Sequence, residues 1–355
     1  MNNKPHILIT GPIAPPFGGI SIHIKRLCAL LNHNFEITLV DESKTPKNNI
    51  FHLRSLNLVG YFKLLAWSDL VFIHSGNRWF KKAHIIFSKL FRKKTIITIH
   101  GYGNKRSMPF RIWDQFIFSL ADKIILVNDE IRQKLKLSEQ KCLTMHAFLP
   151  PDLNEEEPLP KEIQQEIEYA RKKGQRIIVA NASRLDSFNG EDLYGLDISI
   201  EAAKRLKNMG ASFRIIFTVS TLDQGKSRYD LAMQEIKKHA LEDVFFLFSG
   251  PISFPRLIVA SDIVLRPTNT DGDSLSVREA LHYNKPILAS DVVSRPEGSL
   301  LFKTRDVEDL TDQLGNIILQ NDKIETINTT NEDSNETFRM NYVNMINDVL
   351  KINLN

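Results

Sequence analysis

The sequence predicts an α/β protein built from two doubly wound parallel-sheet halves. Short apolar runs of buried-strand type alternate with amphipathic stretches through residues 1–150, the pattern of a parallel sheet covered by helices on both faces. The alternation breaks at an acidic, proline-rich segment, Leu149-Pro150-Pro151-Asp152-Leu153-Asn154-Glu155-Glu156-Glu157-Pro158, and restarts beyond it. Charge divides at the same place. Residues 1–150 carry 22 Lys and Arg against 9 Asp and Glu, a net of +13, and the remainder carries 24 against 33, a net of −9, giving +4 for the chain. The expected domains are therefore 1–150 and 151–335, with a cleft between them, followed by a terminal segment over 336–355.

The elements follow in order. His6–Thr10, Glu36–Val40, Asp69–His74, Thr95–Ile99, Lys123–Val127 and Cys142–Met145 read as strands of the first half, with helices such as Ser21–Leu31 and Arg111–Leu120 between them. In the second half Arg176–Ala180, Phe213–Val219, Val244–Leu247, Asp262–Leu265 and Pro286–Ala289 read as strands. Leu196–Met209, Arg228–His239, Val277–His282 and Val307–Leu319 read as helices. A polar, Asn-rich stretch follows, and Phe338–Leu350 has the spacing of an amphipathic helix.

Bulk properties exclude several classes. With 42% hydrophobic and 25% charged residues, the 355-residue chain has the composition of an ordinary globular protein. Cys28 and Cys142 form no paired motif, which fits a reducing compartment. The N-terminus runs straight into a strand pattern and no apolar run is long enough to span a bilayer, so a cytoplasmic location is expected. No HExxH, CxxC pair, EF-hand loop or GxSxG elbow is present, and no dedicated metal site is expected. The acidic second half and the lack of an RNA-binding signature argue against nucleic acid.

Open α/β sheets bind ligands beyond the carboxyl ends of their strands, so the chemistry is sought there. The most specific segment is Asp271-Gly272-Asp273-Ser274-Leu275-Ser276-Val277-Arg278-Glu279. It is a polar glycine turn between a buried strand and a helix, with one carboxylate before the helix start and one inside it. Helix-start N–H groups suit an anion, and the carboxylates Asp271 and Glu279 suit hydroxyl groups. The alternative for Asp273 and Ser274 is simple N-capping. Arg266 closes the preceding strand, and Arg184 follows the first strand of this half. Either guanidinium can fork onto a phosphate, although Arg184 can also pair with Asp186 on the surface. In the first half, Gly11–Gly19 carries Gly18 and Gly19 ahead of a helix, and His100-Gly101 (with Tyr102-Gly103) ends a strand. Basic and aromatic residues interleave over Arg78–Lys82 and Lys89–Lys94, a pattern suited to an anionic membrane surface or to a sheet-covering helix with a solvated basic face.

These residues together resemble retaining glycosyltransferases of the GT-B fold, especially glycosyltransferase family 4. The resemblance runs along nearly the whole chain and is strongest over Ile263–Glu297. It rests there on Asp271-Gly272, Leu275, Glu279-Ala280-Leu281, Asn284-Lys285-Pro286-Ile287, Ala289-Ser290-Asp291 and Pro296-Glu297. Gly18-Gly19, His100-Gly101, Ala121-Asp122-Lys123 and Ser183-Arg184-Leu185 also match. The resemblance implies two Rossmann-like domains facing a cleft, with the nucleotide-sugar donor on the second, the acceptor on the first, and the helix over 336–355 crossing back to the first. It implies that Glu279 accepts hydrogen bonds from the ribose and Asp271 contacts the donor sugar. Gly272, Asp273, Ser274 and Leu275 would face sugar and diphosphate, Arg184 would stabilise the leaving diphosphate, and His100 and Gly19 would lie near the sugar and phosphates.

Three positions depart from the family pattern. Asp271 replaces a Glu, Asp273-Ser274 replaces Phe-Gly, and Tyr194-Gly195 follows an insertion, Asp186–Leu193, where the family has Lys-Gly. Arg266 or Lys226 is expected to stand in for that Lys. The expected activity is retaining, hexosyltransferase-type transfer from a UDP- or GDP-linked sugar, without cofactor or metal. The acceptor is expected to be a polysaccharide or lipid-linked saccharide of surface polysaccharide synthesis, met at the inner face of the membrane through the basic aromatic segment. A sugar-nucleotide epimerase and a weakly catalytic binding subunit are the alternatives.

Overall fold

The computed structural model describes residues 4–15, 18–102, 108–127, 129–145, 148–223, 225–319 and 335–352. Pro16 and Phe17 of the first glycine loop, Gly103, and most of the polar stretch after Leu319 lie outside the described residues. The chain divides into two compact units, Met1–Leu149 with Asp333–Asn355, and Pro150–Glu332.

The first unit runs β1 (His6–Gly11), α1 (Gly19–Leu31), β2 (Glu36–Asp41), β3 (Phe51–His52), α2 (Leu58–Trp67), β4 (Leu70–Ile73), α3 (Arg78–Leu90), β5 (Lys94–Ile99), α4 (Met108–Ser119), β6 (Lys123–Leu126), α5 (Asp129–Leu135) and β7 (Cys142–Thr144). The second runs α6 (Lys161–Lys172), β8 (Arg176–Arg184), β9 (Ser187–Phe188), β10 (Glu191–Asp192), α7 (Leu196–Asn208), β11 (Phe213–Thr221), α8 (Lys226–Lys238), β12 (Phe245–Ser249), α9 (Phe254–Ala260), β13 (Ile263–Arg266), α10 (Leu275–His282), β14 (Ile287–Ser290), β15 (Leu300–Phe302) and α11 (Val307–Leu319). Helix α12 (Asn335–Leu350) closes the described chain.

Among the described residues, the first sheet has the order β3-β2-β1-β4-β5-β6-β7 and is parallel throughout. Helices cover both faces, so every residue of β1 and β4 is buried and the strands read as unbroken apolar runs. Helix α12 belongs to this unit. Its Phe338, Tyr342, Met345, Ile346 and Val349 recur at helical spacing and join the core of Ile9, Leu27 and Phe72. The second sheet has the order β12-β11-β8-β13-β14-β15, again parallel.

Several elements go beyond the sequence reading. Strand β8 extends to Arg184 because Arg184 pairs with Thr221 of β11. Strands β3 and β15 are two and three residues long. They sit at sheet edges, where burial no longer imposes an apolar pattern. No helix among the described residues is long and apolar enough to cross a membrane.

Candidate functional site

In the second unit the strand order reverses at β8, with β11 on one side and β13 on the other. The carboxyl ends of β8 and β13 therefore flank the topological switch point, where open α/β sheets take their ligands. Arg184 ends β8 and Arg266 ends β13.

Arg266 does not project alone. Its Nε and Nη2 donate to Oδ2 and Oδ1 of Asp271, each at 3.0 Å, a fork-on-carboxylate pair. Arg295 adds Nη1 to Oδ2 at 2.8 Å, Thr268 Oγ1 donates at 3.2 Å, and the Gly272 amide donates to Oδ1 at 3.0 Å. The carboxylate expected to meet a sugar hydroxyl thus already accepts five hydrogen bonds from the protein, about the capacity of its lone pairs. Burial alone would raise its pKa. The Arg266 charge, with hydrogen bonds from Arg266 and Arg295, outweighs that and lowers it to about 2. Two guanidinium groups on one carboxylate leave the cluster with a net positive charge.

The two arginines differ in access. Arg295 is 2% exposed and also binds Ser290 and Thr268, which makes it an internal brace. Arg266 is 12% exposed. Its guanidinium lies 5.4 Å from the Tyr194 ring centre, and Nη1 reaches Asn181 Oδ1 at 3.5 Å. Sequence reading missed Arg295, which is 24 residues from Asp271 and is recognisable only as an arginine next to a proline after a strand.

Helix α10 begins beside this cluster. Ser274 is its N-cap, but its hydroxyl makes no capping bond and instead lies 3.1 Å from Ser276 Oγ. Asp273 turns to the Arg278 Nε at 2.6 Å. Neither side chain makes the capping hydrogen bond named as its alternative, so no side-chain cap holds the helix-start amides from Leu275 onward. Gly272 and Asp273 are exposed, and Glu279 is buried inside the helix.

The insertion Asp186–Leu193 forms a hairpin of β9 and β10, turned by Asn189 and Gly190 at φ 52° and 87°. Asp192 at its end accepts the amides of Tyr194 (2.9 Å) and Leu196 (3.2 Å). Gly195 then enters α7 at φ 68°, and a Cβ there would stand 2.0 Å from the Pro267 carbonyl oxygen. Only glycine allows the start of α7 to sit on the loop after β13. Tyr194, in place of a lysine, lies beneath Arg266 and bonds Ser183 Oγ at 2.7 Å.

Two expected phosphate ligands stand apart from this network. Arg184 pairs with Asp186 at 3.0 Å with half its side chain exposed, the surface pair named as its alternative. Lys226, the first residue of α8, pairs with Asp230 and is also exposed. It does not join Arg266, because an i,i+4 carboxylate holds it along its own helix.

In the first unit the switch point lies between β1 and β4. Gly18 caps α1 and Gly19 opens it, and a Cβ on Gly19 would meet nothing within 4 Å. His100 follows β5 and packs with His74 and His23. The basic aromatic segment is corrected. Lys81 and Lys82 are buried, and Lys82 lies 2.6 Å from the buried carboxylate of Asp114 on α4, which draws it inward from the expected solvated face. Exposed apolar side chains instead gather on α4, at Met108, Phe110, Ile112, Trp113 and Phe116, with Trp79 of α3 nearby.

No protein-family model and no curated protein matches the chain. Solved structures do. A glycosyltransferase from Rickettsia africae ESF-5 has a TM-score of 0.72 at 17% identity, covering 99% of this chain and 100% of its own. HepE of Anabaena, in complex with UDP and glucose, has a TM-score of 0.69 at 14% identity, covering 97% and 99%. MnaA of S. aureus, in a co-structure with UDP, has a TM-score of 0.63 at 16% identity, covering 98% of each. At such identities the likeness is one of architecture: the chain has the two-sheet α/β architecture of the GT-B fold.

Proposed function

We propose that the protein is a glycosyltransferase whose second unit binds a nucleotide-sugar donor at the β8–β13 switch point. The observation that carries this reading is the Arg266–Asp271–Arg295 cluster beside the open start of α10. It is a net-positive cradle for a diphosphate, braced by hydrogen bonds within the protein. Fold relatives solved with UDP support the class of donor.

In the reaction, the bond between the anomeric carbon and the diphosphate breaks. The electron pair leaves with the diphosphate, and positive charge develops on the sugar. The acceptor hydroxyl bonds to that carbon and passes its proton to the departing diphosphate oxygen. Arg266 and the α10 amides stabilise the negative charge as it forms on the leaving group. Asp271 and Arg295 act through Arg266 as positioning residues. Arg184 is held by an exposed ion pair to Asp186, weak in water, so turning from Asp186 to a diphosphate costs it little. Glu279 accepts from the ribose, and transfer proceeds with retention. These cations meet the charge of the leaving group without a metal.

The first unit takes the acceptor, a saccharide on a lipid or a growing surface polysaccharide. The apolar face of α4, on a unit of net positive sequence charge, is the surface that meets an anionic bilayer. The test is product analysis with UDP- and GDP-sugars over an acceptor panel, reading released nucleotide and the anomer formed. Acceptor-dependent release with the donor's configuration retained supports the reading. Release with inversion removes the retaining assignment. Acceptor-independent change of the sugar marks an epimerase, and nucleotide binding without turnover marks a binding subunit.

A further inference from the structure

The first unit holds a second constellation that the donor chemistry of the other unit leaves unused. His74 follows β4 directly, His100 follows β5, and His23 stands on α1. All three meet at the β1–β4 switch point, the position where this half-sheet is built to take a ligand. One ring nitrogen from each lies within 4.8 Å of the others. Ring centres are 5.1 Å apart for His23–His74 and His23–His100, and 5.6 Å for His74–His100. Gly11 lets the end of β1 close onto this group, since a Cβ there would lie 3.3 Å from the His74 carbonyl.

The plain alternative is a packed cluster of imidazoles. Hydrogen bonding argues against it. His74 is fully buried, yet its Nδ1 meets only His100 Nε2, at 3.4 Å, long for a hydrogen bond. Packing alone thus leaves the nitrogen that faces the cluster poorly satisfied.

We propose that His23, His74 and His100 form a binding site for one divalent transition-metal ion of the zinc class, with an open coordination position on the partly exposed side of His100. Nitrogens on a tetrahedral ion with Zn–N near 2.0–2.1 Å stand about 3.4 Å apart. The His74–His100 nitrogens already have that spacing, at 3.4 Å. Closing a pair from the 4.8 Å limit to that spacing takes a combined ring movement of about 1.4 Å. Three imidazoles select zinc, cobalt, nickel or copper over calcium or magnesium. Lys81 is the opposing group. It is buried and its charge bears on both His74 and His100. It repels a cation, and Lys81→Met is expected to tighten binding.

The test uses the tag-free full-length chain, stripped with a chelator and titrated with Co²⁺ followed by Zn²⁺. The site predicts one Co²⁺ per chain, with the visible absorption of a low-coordinate ion, displaced by Zn²⁺. His100→Ala and His23→Ala are each expected to weaken binding at least tenfold. Because His100 is partly exposed, its variant should keep the wild-type metal-free melting point, and it decides the matter if His23→Ala fails to fold. Absence of saturable Co²⁺ binding overturns the proposal. So does saturable binding that His100→Ala retains.

Discussion

The side chains around Asp271 set the character of the proposed donor site. Its carboxyl is lowered to about 2 in the folded protein, from 3.8, because two guanidinium groups outweigh its burial. A depressed carboxylate stabilises the fold above its unfolded pKa, and that stability is lost as pH falls through the folded value. This one group therefore contributes roughly 2 kcal/mol at neutral pH, lost between about pH 4 and pH 2. Asp271→Asn should flatten the acid limb of the stability curve in that window, as urea melts across pH would show. Arg295→Met removes one partner of a nearly dry ion pair and is expected to cost about 3 kcal/mol in chemical denaturation. It should also weaken nucleotide binding, although Arg295 itself is too buried to face a ligand. That Arg266 and Asp271 lie close together was legible, because five positions separate them across a strand end and a turn, but their pairing was not. Arg295 was not, and of the three histidines only His100 was named as a site residue. His23, His74 and His100 come from three separate elements, and only the closed sheet brings them together.

At the scale of elements, glycine marks where backbone geometry constrains the site and where it does not. Gly195→Ala puts a Cβ 2.0 Å from the Pro267 carbonyl oxygen at φ 68°. The left-handed backbone alone costs about 1–2 kcal/mol, and the clash adds to it. A melting-temperature drop is expected, together with lost donor binding, because α7 and the β13 loop must part. Gly19→Ala is the contrasting case. It meets nothing within 4 Å and lies in the first turn of α1, so the fold should tolerate it within about 1 kcal/mol. Any loss of turnover in that variant would then report a ligand that needs the bare backbone. The strands buried on both faces, such as β1 and β4, were plain in the sequence because they read as apolar runs. The β9–β10 hairpin was not read, although Asn189-Gly190 is the turn pair such hairpins favour. Its strands are two residues long, too short for any alternation to show.

The whole molecule joins two parallel sheets in one chain, and the chain returns to the first unit through α12. Tyr342 and Ile346 are buried there against the core of β1 and β4. Tyr342→Ala is expected to destabilise that unit by about 3–5 kcal/mol, read from its unfolding transition. The exposed face of α4 makes a separate prediction. Phe110→Ser with Phe116→Ser should reduce recovery on anionic vesicles in flotation, and unchanged recovery would remove the membrane assignment. The central claim is that the Arg266 cluster holds the diphosphate of a nucleotide donor. Its most direct measurement is equilibrium binding of UDP and GDP to wild type and Arg266→Met, with both melting points recorded. The account predicts saturable binding of one nucleotide, weakened at least tenfold in a variant that still folds. Binding that Arg266→Met leaves unchanged, or no nucleotide binding by the wild type, would contradict it.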